Sequence, residues 1–401
     1  MTLPANPLVG MFATYPFVEI EKKKRALMDK GTEVIDLSIG DPREITPAFI
    51  ADALKAHVPA RSSYPTVLGR RSLRDAIARW CERRFAVTLD PETQILPANG
   101  SKEAVFNIHL ALVDPSAARR RVVIPSPAYP VYERGAAFAG GVPTLLPLAR
   151  AHGFLPDLDA VPGQVWDETV ILWLNYPHNP TGASATQALY DKALALAHRH
   201  GFVVLSDEAY SELTFGAPAP SLLSSGTDRA LVFQTLSKRS AMTGYRSGFV
   251  AGDPGLVATF RALRPNLGVA TPEFVQHAAE AAWNDEAHVE ALRESFRQKR
   301  DDALAVLGKE GRGAGFEVVP NDATFYLWIA VPKDTTSGAE ADRWLQHAGV
   351  AVVPGEAMGE SGEGFLRLAL VPTREECRTA MSRLLRVFEA RTHTGTERKR
   401  T

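Results

Sequence analysis

Lys238 stands directly after the apolar run LVFQTLS (231–237), with Thr235 and Ser237 beside it and Arg246 eight residues on. An amine at a strand end among hydroxyls can hold an aldehyde as a Schiff base, and the arginine can hold that aldehyde's phosphate in the same pocket. Asp207 closes the run FVVLSD (202–207), with Tyr210 three positions further. A carboxylate there is desolvated and needs a cation. The run QILPA (94–98) leads into Asn99-Gly100-Ser101-Lys102 and then a helical stretch. Glycine frees the backbone, and a helix N-terminus offers unpaired N–H groups to an anion. The run TVILWLN (169–175) continues as Tyr176-Pro177-His178-Asn179-Pro180-Thr181-Gly182, a loop expected to expose amide and imidazole groups. Each feature also has an ordinary structural use, as a serine or aspartate helix cap, a turn, or a solubilising lysine, and taken singly these alternatives stand open.

The elements that must carry these residues are legible from periodicity. From about residue 71, helical patterns alternate with short runs rich in Val, Ile, Leu and Phe: 94–98, 121–126, 169–175, 202–207, 231–237 and 248–253. That rhythm predicts an α/β fold with one large, mostly parallel sheet flanked by helices, in which ligands sit beyond the carboxyl ends of the strands. After Pro272 the pattern becomes helices near 272–284, 286–309 and 337–348, short strands near 316–319, 325–330, 350–353 and 365–370, and a last helix from Thr373. This predicts a smaller α+β domain. The expected division is 41–285 for the large domain and 1–40 with 286–401 for the small one, the N-terminal segment packing on the C-terminal part. The tail RTHTGTERKRT (391–401) reads as disordered.

Composition narrows the function classes. The chain has 401 residues, with 45 Lys and Arg against 46 Asp and Glu, a net charge of -1 that offers no field for nucleic acid. Two distant cysteines, Cys81 and Cys377, fit neither a disulfide framework nor a thiolate metal site. No apolar run approaches the ~20 residues that span a bilayer, and the first residues lack a secretory pattern, so a cytoplasmic protein is expected. No histidine pair stands at ligand spacing beside a carboxylate, and no metal is expected.

An aldehyde-forming lysine, an aspartate able to pair a pyridinium and a phosphate cradle are together the groups that a pyridoxal phosphate (PLP) site requires. Over nearly its whole length the chain resembles the fold type I, class I/II PLP-dependent aminotransferases. The resemblance rests on LSIGDP (37–42), Tyr64 and Gly69, NGSKEA (99–104), PAYPVY (127–132), NYPHNPTG (175–182), SDEAY (206–210), SKRSAMTGYRSG (237–248) and FLRLAL (365–370). It implies that Lys238 forms the internal aldimine and serves as general acid/base, that Asp207 keeps the ring nitrogen protonated, and that Asn179 and Tyr210 hydrogen-bond the ring's phenolic oxygen. Tyr129 is then expected on the ring face. Ser101, Lys102, Thr235, Ser237, Arg246 and the backbone of Gly100 are expected to hold the phosphate, with Tyr64 reaching it from the neighbouring subunit of a homodimer. Arg367 should clamp the substrate α-carboxylate, helped by Asn179 and the backbone near Gly40. The partners implied are amino acids and 2-oxo acids.

Within that family the segments 14–27, 46–54, 153–162, 235–240, 246–253, 281–289, 325–330 and 367–371 look like succinyldiaminopimelate aminotransferases of lysine biosynthesis. The sequence departs from that group at 177–179 and 241–244, near the expected cofactor. The expectation is therefore ping-pong transamination of N-succinyl-LL-2,6-diaminopimelate with 2-oxoglutarate. A succinyl carboxylate would require a second cation at the entrance, and Arg43 and Arg264 are the candidates. A general aspartate, alanine or aromatic aminotransferase, or a PLP-dependent carbon–sulfur lyase, would use the same central residues.

Overall fold

A computed structural model describes residues 6–11, 16–61, 63–268 and 270–398. Its centre is a seven-stranded sheet in the order Ile95–Ala98, Gly248–Gly252, Ala230–Thr235, Val203–Asp207, Thr169–Asn175, Arg121–Ser126 and Val142–Pro147. Gly248–Gly252 runs antiparallel to both neighbours, and the other pairings are parallel. The interior strands are buried on both faces, which explains why they read as unbroken apolar runs. The seventh strand, Val142–Pro147, is an edge strand without a fully buried residue, and its sequence VPTLLP gives no such run.

This topology brings the polar strand ends to one sheet edge. Asn175 pairs in register with Asp207. Gly248 pairs with Ala98 on one side and Thr235 on the other, so Arg246, two residues earlier, arrives beside both. Helices follow these ends and cover the sheet: Ser101–Leu112, and Gln187–His200, capped by Thr186 accepting from the Leu189 N–H and stopped by left-handed Gly201. Trp80, Trp173 and Trp283 fill the core on the two faces.

The smaller sheet-containing part has an antiparallel sheet in the order Val353–Pro354, Phe365–Ala369, Tyr326–Ala330 and Glu317–Val318, packed by the helices Ala287–Val306, Ser337–Ala348 and Arg374–Arg398. Ile35–Asp36 pairs parallel with Val350–Ala351, and the Ala369 N–H donates to the Leu37 carbonyl, which carries residues 38–40 toward the large sheet. The tail differs from expectation. Residues 391–398 extend the last helix, and 399–401 lie outside the described residues. No helix among the described residues is long and apolar enough to cross a membrane.

Candidate active site

The strand ends and the segment 39–41 enclose a cavity of about 510 Å³. Its lining contains Gly40, Ser101, Lys102, Tyr129, Asn179, Asp207, Tyr210, Thr235, Ser237, Lys238, Arg246 and Arg367. Twelve of the fourteen residues expected to hold the cofactor or the substrate α-carboxylate are thus brought together. Gly100 lies just behind, where an added Cβ would come within 2.4 Å of Arg246 Nη2. Tyr64 is 95% exposed and does not line the cavity.

Lys238 leaves the strand Ala230–Thr235 on a single helical turn, Leu236–Arg239, and its Nζ donates to the Gly40 carbonyl at 2.5 Å. Burial lowers its pKa to about 8; the Asp41 charge opposes this, while Arg246 and Arg367 reinforce it. Asp207, also buried, has its pKa raised to about 6 by desolvation, opposed first by the Tyr132 hydroxyl, which donates to Oδ2 at 2.9 Å, and then by the Ala209 N–H. Tyr132 was not among the residues chosen from the sequence. It stacks on Trp173, whose indole N–H donates to His109 Nε2 at 2.9 Å, so a packed aromatic column backs the carboxylate.

Arg367 is 3% exposed on the strand Phe365–Ala369. Its Nη1 donates to Asn179 Oδ1 at 3.0 Å, its Nη2 donates to the Ser38 carbonyl at 2.6 Å, and the guanidinium lies 4.6 Å from the centre of the Tyr326 ring. Asn175 ties the loop to the strand end by donating to the Asp207 carbonyl and accepting from the Asn179 N–H. Tyr210 shares a hydrogen bond with Tyr326 at 3.0 Å, and burial pushes its phenol well above the ordinary range. The imidazole of His178 is not offered to the cavity. It is buried against Thr181, and desolvation lowers its pKa to about 3.

At the other end of the cavity, Ser101 opens the helix Ser101–Leu112 after Gly100 at φ 77°. Arg246, in the left-handed region at φ 54°, passes Gly100 to reach the Thr243 and Asn99 carbonyls. The Lys102 pKa is pushed down by burial and then by Arg246 and Arg134. Two cations crowded at a helix N-terminus, with Thr235 and Ser237 beside them, form a seat for a dianion. A side chain at 100 would fill the cradle. The residues therefore fit PLP: an anion seat, a depressed lysine and a buried carboxylate occupy one cavity. Among the described residues, no group of three or more His, Cys, Asp or Glu could hold a metal ion.

Comparison with known proteins agrees with this geometry. Residues 32–384 match the family model "Aminotransferase class I and II". The chain is 39% identical over 376 residues to the LL-diaminopimelate aminotransferase of Aquifex aeolicus (strain VF5), covering 92% of this chain and 95% of that protein. It is 36% identical over 395 residues to the enzyme of the same name from Nitratidesulfovibrio vulgaris (strain DP4), covering 96% and 100%. Among solved structures it superposes on substrate-bound BacF of Bacillus subtilis with a TM-score of 0.90 at 29% identity, covering 96% of this chain and 98% of that one. The chain belongs to the class I and II aminotransferases. It is a PLP-dependent aminotransferase of the α/β fold type I architecture.

The likeness to succinyldiaminopimelate aminotransferases, and with it N-succinyl-LL-2,6-diaminopimelate as substrate, is corrected by these relatives, which carry the name LL-diaminopimelate aminotransferase. The physical reason is visible in the cavity. Arg43 and Arg264, the two candidates for a succinyl carboxylate, do not line it. Arg43 pairs with Glu376 at 3.4 Å, and Arg264 is buried against Glu103 at 2.6 Å.

Proposed function

We propose that the chain moves an amino group from LL-diaminopimelate to a 2-oxo acid by ping-pong transamination in lysine and diaminopimelate metabolism. The observation that carries the chemistry is a depressed lysine sharing a cavity with a buried carboxylate and a buried arginine. The substrate is supported by the 39% identity to the Aquifex aeolicus enzyme.

When bound, PLP supplies an aldehyde that condenses with amines and a protonated ring that draws electrons from the substrate Cα. Arg367 and Asn179 bind the α-carboxylate, and Arg367 is already oriented by Asn179 Oδ1 and the Ser38 carbonyl. With its pKa at about 8, the Lys238 amine can be neutral near physiological pH and moves the proton at the substrate Cα, held over the cavity by the Gly40 carbonyl. Asp207 would hold the proton on the ring nitrogen, and Tyr210 with Asn179 would orient the ring's phenolic oxygen. Tyr129 would cover the ring face. Ser101, Lys102, Thr235, Ser237, Arg246 and the Gly100 backbone would anchor the phosphate.

The same reading includes a cytoplasmic homodimer in which Tyr64 completes the neighbour's phosphate site, supported by its 95% exposure away from its own cavity. It also includes the division into 41–285 and 1–40 with 286–401, supported by the pairing of Ile35–Asp36 with Val350–Ala351. The test is a donor and acceptor panel on purified holoenzyme. LL-diaminopimelate with 2-oxoglutarate should give the highest kcat/KM, ahead of N-succinyl-LL-diaminopimelate, aspartate, alanine and phenylalanine. A higher value for any of those four rejects the substrate assignment.

A further inference from the structure

One carboxylate in the cavity has no part in the chemistry above. Asp41 follows Gly40 on the segment that enters from the small sheet, and it lines the cavity with Lys238 and Arg367. The other lining carboxylate, Asp207, is buried and engaged by Tyr132 and Ala209. Asp41 is exposed, and among the described residues it makes no hydrogen bond or ion pair. Its charge is nevertheless felt at Lys238, where it is the strongest influence after burial. It therefore stands where the cavity that holds Lys238 meets solvent.

The remaining charged groups in the lining, Lys102, Lys238, Arg246 and Arg367, are all cations. Lys102 and Arg246 serve the phosphate and Arg367 the α-carboxylate. A donor whose far end carried an added anion would meet Asp41 as a like charge, whereas a donor whose far end carried an ammonium would meet it as a partner. N-acylation of a distal amine removes the cation, and succinylation adds a carboxylate. Both changes count against such a donor here.

We propose that Asp41 is a specificity-determining residue whose carboxylate receives the distal ammonium of a long diamino acid donor and disfavours donors in which that nitrogen is acylated or missing. This rests on the aminotransferase reading of the cavity and names the class of donor that the same cavity selects.

The test compares wild-type, Asp41→Asn and Asp41→Glu holoenzymes with four donors: LL-diaminopimelate, L-2-aminopimelate, L-lysine and L-2-aminohexanoate. The second and fourth are the first and third without the distal amine. In the wild type the distal amine should raise kcat/KM by about tenfold or more within a pair, mainly through KM. Asp41→Asn should bring that ratio close to one, and Asp41→Glu should restore part of it. A general effect on Lys238 or on folding would change both members of a pair alike and leave the ratio standing. If LL-diaminopimelate is not turned over while lysine is preferred to 2-aminohexanoate in an Asp41-dependent way, the substrate reading fails and the Asp41 assignment holds. A wild type with no distal-amine preference, or a ratio unchanged in Asp41→Asn, overturns the assignment.

Discussion

In the proposed chemistry the reactivity of Lys238 would come from burial. An ordinary lysine, at a pKa of 10.5, is almost wholly protonated at pH 8, whereas this one is lowered to about 8 and is then about half neutral. Only the neutral amine attacks an aldehyde, so loading of the apoenzyme with PLP should accelerate through a midpoint near pH 8. A stopped-flow pH series with a midpoint near 10.5 would contradict this origin of reactivity. Tyr132 is the corresponding support for Asp207. Tyr132→Phe removes the largest influence that lowers the carboxyl pKa, so it rises further. The expected result is weaker PLP retention on dialysis and an altered pH titration of the visible band, with far-UV circular dichroism unchanged. That Lys238 and Asp207 line the cavity was legible because one follows and the other closes an apolar run. Tyr132 was not, because a tyrosine early in the helix Val131–Phe138 reads as ordinary core until the fold sets it against Asp207.

The proposed phosphate seat depends on the junction of strand and helix at 98–101. Gly100 has φ 77°, and an alanine Cβ would stand 2.4 Å from Arg246 Nη2. Gly100→Ala therefore strains the backbone and displaces the guanidinium together. The apoenzyme should bind PLP at least about tenfold more weakly, read by fluorescence titration, for a loss of about 1–2 kcal/mol in unfolding free energy. Unchanged affinity would place the phosphate elsewhere. Elements buried on both faces could be read directly from composition. The edge strand Val142–Pro147 could not, since its residues alternate between exposed and half-buried, nor could the continuation of the last helix into 391–398, where the sequence is polar.

At the scale of the whole molecule, two adjacent buried carboxylates set how the apoenzyme responds to pH. Burial raises Glu208 from 4.5 to about 7, with hydrogen bonds from the Leu222 N–H, Ser221 and Ser206 and the charge of Arg84 working against it. A carboxyl whose folded pKa is raised adds stability below its unfolded pKa and loses it as pH rises through the folded value. For Glu208 the loss falls between about pH 4.5 and 7 and is on the order of 3 kcal/mol. Glu208→Gln should therefore flatten the change in urea stability between pH 5 and 8, and an unchanged profile would show that Glu208 does not carry it.

The proposed dimer has its own test. Mixed subunits of Lys238→Ala and Tyr64→Ala should regain activity, because one site in each hybrid carries neither lesion. No recovery above the parents would place Tyr64 outside the neighbour's site. Substrate identity was the least legible property in the sequence, since it depends on whether Arg43 and Arg264 face the cavity, and they pair elsewhere.

The most direct measurement of the central claim is borohydride reduction of the purified, PLP-loaded protein followed by peptide mass mapping. The expected result is a phosphopyridoxyl group on Lys238 alone, absent when LL-diaminopimelate is added in excess before the reductant. A label on another lysine, or no reducible link at Lys238, would contradict it.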